Sequence, residues 1–169
     1  MTDPRPGFDA YFIGIAMAVR ARARCLGRHV GAVLVRDGRI IATGYNGTPK
    51  GMPNCDEAEQ GCHRCAHREA YPHGVGYDLC ICVHAEQNAL LSAARFGNAV
   101  DGAALYSTLQ PCFGCLKESL QAGVTRLHWL NPWTPAPEFA AAYARLLGEF
   151  EVACRVDGIA DPLGARGGA

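Results

Sequence analysis

The sequence predicts a single α/β domain, and three observations carry that prediction. A chain of 169 residues is long enough to bury roughly two-thirds of the surface its unfolded form exposes, so it forms a core without help from disulfides. The apolar spacing changes from helical near the N-terminus to short strand-length runs around an Asp-Gly pair. In the second half, strand-like and helix-like segments alternate, which requires right-handed crossovers and parallel strand neighbours after an initial antiparallel hairpin.

Phe8, Tyr11, Phe12, Ile15, Ala16 and Val19 repeat at helical spacing, which predicts a first helix over 8–24. Arg20, Arg22 and Arg24 gather at its end, where cations suit the helix dipole. The runs 30–35 and 40–44 flank Arg36-Asp-Gly-Arg39 and predict a β-hairpin, apolar enough for burial on both faces. Between Tyr45 and Val83 no period survives, and Gly, Pro, Cys, His and charged residues dominate. So long an irregular segment in a compact domain needs something to hold it, and a bound metal is the natural candidate. Order returns with a helix over 84–95 closed near Gly97, a strand over 103–108 and a helix over 112–121 closed by Gly123. A strand over 125–130, a helix over 137–147 and a last strand over 150–156 follow. Residues 161–169 read as a disordered tail, leaving 1–160 as the domain.

Lysine plus arginine and aspartate plus glutamate are 16 each. With zero net charge there is no global field to gather a nucleic-acid backbone, and a small substrate is favoured. The first ten residues are acidic and proline-containing rather than basic and apolar, and no apolar run nears the ~20 residues of a membrane span; the expectation is a cytoplasmic protein. In a reducing compartment the nine cysteines are expected as metal ligands or core residues rather than disulfides, Cys154 being the core strand residue.

Two short motifs carry the chemistry: His84-Ala85-Glu86 and Pro111-Cys112-Phe113-Gly114-Cys115. One His and two Cys supply three ligands to Zn²⁺ and leave the fourth tetrahedral position to water. Glu86, two residues from His84, is placed to move that water's protons. Both motifs open predicted helices, where thiols three apart share one side and the helix N-terminus favours thiolate. The pattern H-x-E followed by P-C-x-x-C resembles that of the zinc-dependent nucleobase deaminases. The alternative is a structural Cys₃His zinc with Glu86 an ordinary first-turn carboxylate; the joint motif outweighs it.

The chain further resembles the cytidine deaminase superfamily and, within it, the deoxycytidylate (dCMP) deaminase family. Val30-Gly-Ala-Val, Gly44-Tyr-Asn-Gly-Thr-Pro-Lys-Gly51, His84-Ala-Glu-Gln-Asn-Ala89, the run 102–115 and Gln121-Ala-Gly-Val124 carry the resemblance, in order across roughly 8–131. The stretch from Gly44 to Gly51 is what points to dCMP. The resemblance implies a three-layer α/β/α fold with a five-stranded mixed sheet, one catalytic zinc, deamination of dCMP to dUMP, and homo-oligomers, often hexamers, regulated by deoxynucleoside triphosphates. It also implies that Asn46 contacts the substrate's sugar, the other reading being a turn residue in the left-handed conformation. Tyr45 and Gly47 are linked to effector binding, and Arg95 either to a regulatory subunit interface or to a solvated helix end. Tyr106 and Phe113 are candidate walls for a stacked base, or core residues.

Cys25, Cys55, Cys62, Cys65, Cys80 and Cys82 remain, and the Cys62-x-x-Cys65 and Cys80-x-Cys82 spacings chelate. In the family they resemble, a second zinc takes ligands matching Cys25 and Cys55. One of Cys62 or Cys65 and one of Cys80 or Cys82 complete the expected shell, with His63, His67 and His73 as surplus donors. Competing functions are the same chemistry on another substrate (cytidine, guanine, adenosine in RNA) and a non-catalytic zinc-stabilised binding module. Arg20, Arg22, Arg24, Arg28 and Lys50 suit a 5′-phosphate, an RNA backbone or simple solvation.

Overall fold

The computed structural model describes residues 5–57, 61–71 and 75–163. In chain order the elements are α1 (Phe8–Arg20), β1 (Gly31–Arg36), β2 (Arg39–Tyr45), α2 (His63–Ala66), α3 (Ala85–Arg95), β3 (Ala104–Leu109), α4 (Phe113–Gln121), β4 (Arg126–Asn131), α5 (Ala140–Leu147) and β5 (Val152–Arg155). Single 3₁₀ turns occupy Arg68–Ala70, Tyr77–Leu79 and Pro137–Phe139, the last opening what the sequence predicts as one helix over 137–147.

The five strands form one sheet in the order β2-β1-β3-β4-β5. β1 runs antiparallel to β2 and β3, while β3, β4 and β5 are parallel, so the sheet is mixed as expected. Strand alternation sends neighbouring side chains to opposite faces. Val33 and Val35 of β1, Ala104 and Tyr106 of β3 and Leu130 of β4 pack with Phe12, Ile13 and Ala16 of α1. Ala32, Leu34 and Leu105 pack on the other face with Ala85, Ala89 and Ala93 of α3, Leu116 of α4 and Tyr143 of α5. Three layers result, and among the described residues α1 is the helix on one side. Burial on both faces holds for β1, but β2 is an edge strand in which only Gly44 is buried.

The hairpin turns through Asp37 (φ 52°) and Gly38 (φ 70°), the pair of positive φ values that a two-residue type I′ turn needs. Two glycines let helices press onto the hairpin from opposite sides. A Cβ on Gly31 would lie 2.1 Å from the Ala16 carbonyl oxygen of α1, and one on Gly44 would lie 2.2 Å from the Ala85 carbonyl oxygen of α3.

α1 ends four residues before the expected boundary, passing into i→i−3 turns over 21–23, and Arg20 at its end turns inward. Its guanidinium is 3% exposed and pairs with Asp161 at 2.6 and 2.9 Å. Asp161 also accepts hydrogen bonds from Asn131 Nδ2 and the Leu163 amide. Asp161, placed by the sequence in the tail, is thus tied to α1 and β4, while 164–169 lie outside the described residues. Cys154 is a second correction, since β5 is an edge strand and leaves it exposed, its Sγ 3.4 Å from His128 Nδ1. Among the described residues no helix is long and apolar enough to cross a membrane.

Candidate active site

The carboxyl end of β3 and the N-termini of α3 and α4 meet at one point. His84 caps α3, with Gln87 Oε1 accepting its backbone N–H at 2.9 Å. Cys112 caps α4 after the buried Pro111, whose carbonyl accepts a 2.7 Å hydrogen bond from Tyr143 Oη. The stacked loop before α3 is tied down by Gly47 and Val83, which exchange two backbone hydrogen bonds, and by Asn88 Nδ2 donating to the Tyr45 carbonyl.

His84 Nδ1 lies 3.4 Å from both Cys112 Sγ and Cys115 Sγ, and the two sulfurs are 3.6 Å apart. With Zn–S near 2.3 Å and Zn–N near 2.0 Å, tetrahedral ligands sit roughly 3.5–3.8 Å from one another, so this donor set fits zinc. Glu86, 4% exposed, accepts hydrogen bonds from Ser107 Oγ at 3.2 Å and from Cys115 Sγ at 3.6 Å. Burial pushes the Glu86 carboxyl above its ordinary range against the opposing charge of His84. Cys115 and His84 hold the Cys112 thiol down at about 4 despite burial. Burial disfavours a charged His84 ring, but its hydrogen bond to Cys112 and that sulfur's charge hold it up at about 9. A metal bound by these groups would displace their protons.

A cavity of about 390 Å³ opens over this group and is lined by His84, Glu86, Cys112, Asn46, Gln110 and Trp133, among others. That volume suits a small molecule. Asn46 is buried with Oδ1 accepting the Val30 amide at 2.7 Å and Nδ2 donating to the Arg28 carbonyl at 2.7 Å. It is absent from the positive-φ residues, so the left-handed turn reading does not hold; the side chain joins two loops at the cavity wall. Gly47 is buried, and its amide and carbonyl are both hydrogen-bonded to Val83. Tyr45 and Arg95 are exposed, and the Arg95 guanidinium lies 5.7 Å from the Phe96 ring centroid.

Tyr106 corrects an expectation. Strand alternation puts Ser107 on the Glu86 side and turns Tyr106 to α1, where it hydrogen-bonds Asp9 at 2.8 Å and stacks on His128. It is not a wall of the cavity. Phe113 lies beside Tyr143, with ring centroids 6.3 Å apart, and packs against the core. Of the basic residues, Arg20 is spent on Asp161, Arg24 pairs with Asp56 at 3.2 Å, Arg22 and Lys50 are exposed, and Arg28 reaches the cavity. Arg64 and Arg68 of the irregular segment line it too. Sequence reasoning passed over both, although Arg64 sits between Cys62 and Cys65. Ser107 was missed as well, and its only signal was its place one residue beyond Tyr106 on the same strand.

The six remaining cysteines converge beside this cavity. Cys25, Cys55, Cys65 and Cys82, all buried, form one group whose sulfurs lie within 4.8 Å of one another, and Cys62, Cys65 and Cys80 form a second. His63 and His67 stand outside both groups, stacked on each other with centroids 4.4 Å apart; His73 lies outside the described residues.

Comparison with known proteins matches residues 7–131 to the cytidine and deoxycytidylate deaminase zinc-binding region. The chain is 47% identical over 122 residues to the deoxycytidylate deaminase of Schizosaccharomyces pombe, covering 71% of this chain and 36% of that one. It is 40% identical over 129 residues to the deoxycytidylate deaminase of Mycobacterium phage D29, covering 73% and 94%. The chain therefore spans little more than a third of the fission-yeast relative but nearly all of the phage one. Its fold is similar to the crystal structure of dCMP deaminase from the cyanophage S-TIM5 in complex with dCMP and dUMP, with a TM-score of 0.67, 29% identity, and coverage of 91% and 100%.

Proposed function

This chain belongs to the cytidine and deoxycytidylate deaminase family, and on that premise we propose that it hydrolyses dCMP to dUMP and ammonia. The observation that carries the reading is Glu86: a buried carboxylate at the floor of the cavity, in contact with Cys115 and held by Ser107. His84, Cys112 and Cys115 would hold the zinc, which when bound supplies Lewis acidity that makes water acidic near neutral pH. Glu86 removes a proton from the water that attacks C4 of the cytosine ring. It delivers that proton to N3, then takes the remaining proton from the new C4 hydroxyl and passes it to the exocyclic amine, so that the C4–N bond breaks, ammonia leaves and the keto base remains. Ser107 Oγ orients one carboxylate oxygen so that the other faces the ring.

Asn46 presents its amide edge to the sugar while its backbone hydrogen bonds fix its rotamer. Arg28, Arg64 and Arg68, lining the same cavity, supply the positive charge that a 5′-phosphate needs. This supports a nucleotide over a free base. A second, structural zinc would be held by Cys25, Cys55, Cys65 and Cys82, a four-sulfur group with the donor set of a closed structural site. Exposed Leu91 and Phe96 beside Arg95 support the outer face of α3 as a subunit contact in a homo-oligomer. Tyr45, exposed at the loop, is the proposed effector contact. Nine free cysteines suit a reducing compartment such as the cytoplasm.

The test is ammonia release from dCMP, dCTP, deoxycytidine, cytidine and guanine, with dCMP expected to give the highest kcat/KM. Turnover of another of these without turnover of dCMP overturns the substrate. Glu86→Gln is expected to keep its zinc and lose roughly 10²–10⁴-fold in kcat; an active Glu86→Gln protein assigns the proton transfers elsewhere.

A further inference from the structure

One four-sulfur zinc site accounts for Cys25, Cys55, Cys65 and Cys82 and leaves two cysteines over. Those two are not scattered. Cys62 Sγ is 3.4 Å from Cys80 Sγ, and Cys80 Sγ is 3.4 Å from Cys65 Sγ. Cys65 Sγ in turn lies 3.5 Å from Cys25 Sγ. Cys65 is thus common to both sulfur groups.

The surroundings give these thiols an unusual burden. Across 46–83, the buried residues among those described are Asn46, Gly47, Cys55, Cys62, Cys65 and Cys82. Among its described residues the segment has no aliphatic core: the interior cluster is made of cysteines. Its helical pieces are a four-residue α2 and two three-residue 3₁₀ turns, each too short to persist unaided. In such a segment metal binding supplies the folding free energy. Zinc accepts four ligands in a closed site, so a single ion leaves the fully buried Cys62 and the half-buried Cys80 as thiols whose neighbour is an already coordinated sulfur.

We propose that the cluster holds two metal ions sharing the Cys65 sulfur. The first has Cys25, Cys55, Cys65 and Cys82; the second has Cys62, Cys65 and Cys80, with its fourth position toward the cavity that Cys80 lines. Charge favours this arrangement. Four thiolates around one Zn²⁺ and six around two carry the same net charge of −2, so the second ion adds no net buried charge while it engages the two remaining sulfurs. The ligand class is a thiophilic divalent cation, Zn²⁺ by softness and by the all-sulfur donor set. With three protein sulfurs and an open position, the second ion is the more exchangeable of the two.

The proposal rests on the four-sulfur reading above, and metal counting separates the two. Native mass spectrometry and elemental analysis of the purified full chain are expected to give three zinc per chain, one of them at His84, Cys112 and Cys115. In the Cys62→Ser, Cys80→Ser double variant the count falls from three to two. Titration of the metal-free chain with Co²⁺ adds a readout independent of variant folding. High-spin Co²⁺ resonance grows with the first ion in the cluster and falls as the second couples to it through the shared sulfur. Two zinc per chain, with additive Co²⁺ signals, overturns the shared-sulfur pair and leaves the four-sulfur site standing. One zinc per chain overturns both.

Discussion

Replacing Gly44 by alanine tests whether the hairpin sets the position of the reacting groups. The new Cβ would stand 2.2 Å from the Ala85 carbonyl oxygen, 2.4 Å from the Ala89 amide nitrogen and 2.9 Å from the Asn88 carbonyl carbon. All three are backbone atoms of the first turns of α3, so no side chain can swing aside. Reaching ordinary contact requires α3 to withdraw from β2 by more than ~1 Å. Overpacking of this kind costs about 1–3 kcal/mol, and the upper end applies where backbone must move. For a chain of this size about 3 kcal/mol lowers the melting temperature by roughly 6–12 °C. The displaced turn begins at His84 and carries Glu86, and a ~1 Å misplacement at reacting groups costs ~10²-fold in rate. Calorimetry and kcat/KM for dCMP are the assays, with two controls. Gly14→Ala, where nothing lies within 4 Å of the added Cβ, is expected to be neutral or stabilising by up to ~1 kcal/mol. Gly31→Ala meets Ala16 and Arg20 backbone at 2.1–2.9 Å, but on the α1 face. It should lower the melting temperature comparably while lowering kcat/KM far less. A Gly44→Ala protein that melts within ~2 °C of the parent at full activity would refute the close packing of α3 on β2. Equal activity losses for Gly31→Ala and Gly44→Ala would refute the claim that the effect is positional.

The Arg20–Asp161 pair gives a pH signature. Its hydrogen bond with Arg20 holds the Asp161 carboxyl down at about 2, below the ordinary 3.8, and the side chain is 10% exposed. A carboxyl depressed on folding stabilises above its unfolded pKa, and the gain is lost as pH falls through the folded value. The contribution, about 2 kcal/mol from the shift, is present above pH ~4 and gone near pH 2. Denaturant unfolding from pH 6 to 2 should show the parent's advantage over Asp161→Asn shrinking across that window; a constant difference contradicts the pairing. At the cavity, Arg68→Ala should lower kcat/KM for dCMP by roughly 10- to 100-fold, as the loss of a charged hydrogen bond does, and affect deoxycytidine much less. Equal losses on both substrates would remove Arg68 from phosphate recognition.

The proposed reacting groups were readable in the sequence because their geometry is local. His84 and Glu86 are two residues apart at one helix start, Cys112 and Cys115 share one turn at another, and each motif constrains its own placement. The strands were readable for a similar reason, since β1 and β3 are buried on both faces and read as short runs without charged residues in their interiors. Residues whose roles depend on which way a strand faces were less legible. Tyr106 and Ser107 are adjacent in the chain, and only the register of β3 against β1 and β4 sends one to α1 and the other to Glu86. Arg20 read as one of several solvated cations, because nothing local to it announces Asp161, 141 residues away.

By itself the sequence determined the α/β class, the order of the strands and longer helices, the His84, Cys112 and Cys115 donor set with Glu86 beside it, and the pool of six further thiols, each legible from residue type and short-range spacing. Only the tertiary structure decided how those thiols divide, which arginines face the cavity and how tightly α3 sits on β2. Those outcomes depend on segments brought together across the sheet by backbone packing, and single-chain spacing holds no record of distances between residues as far apart as Cys25 and Cys82.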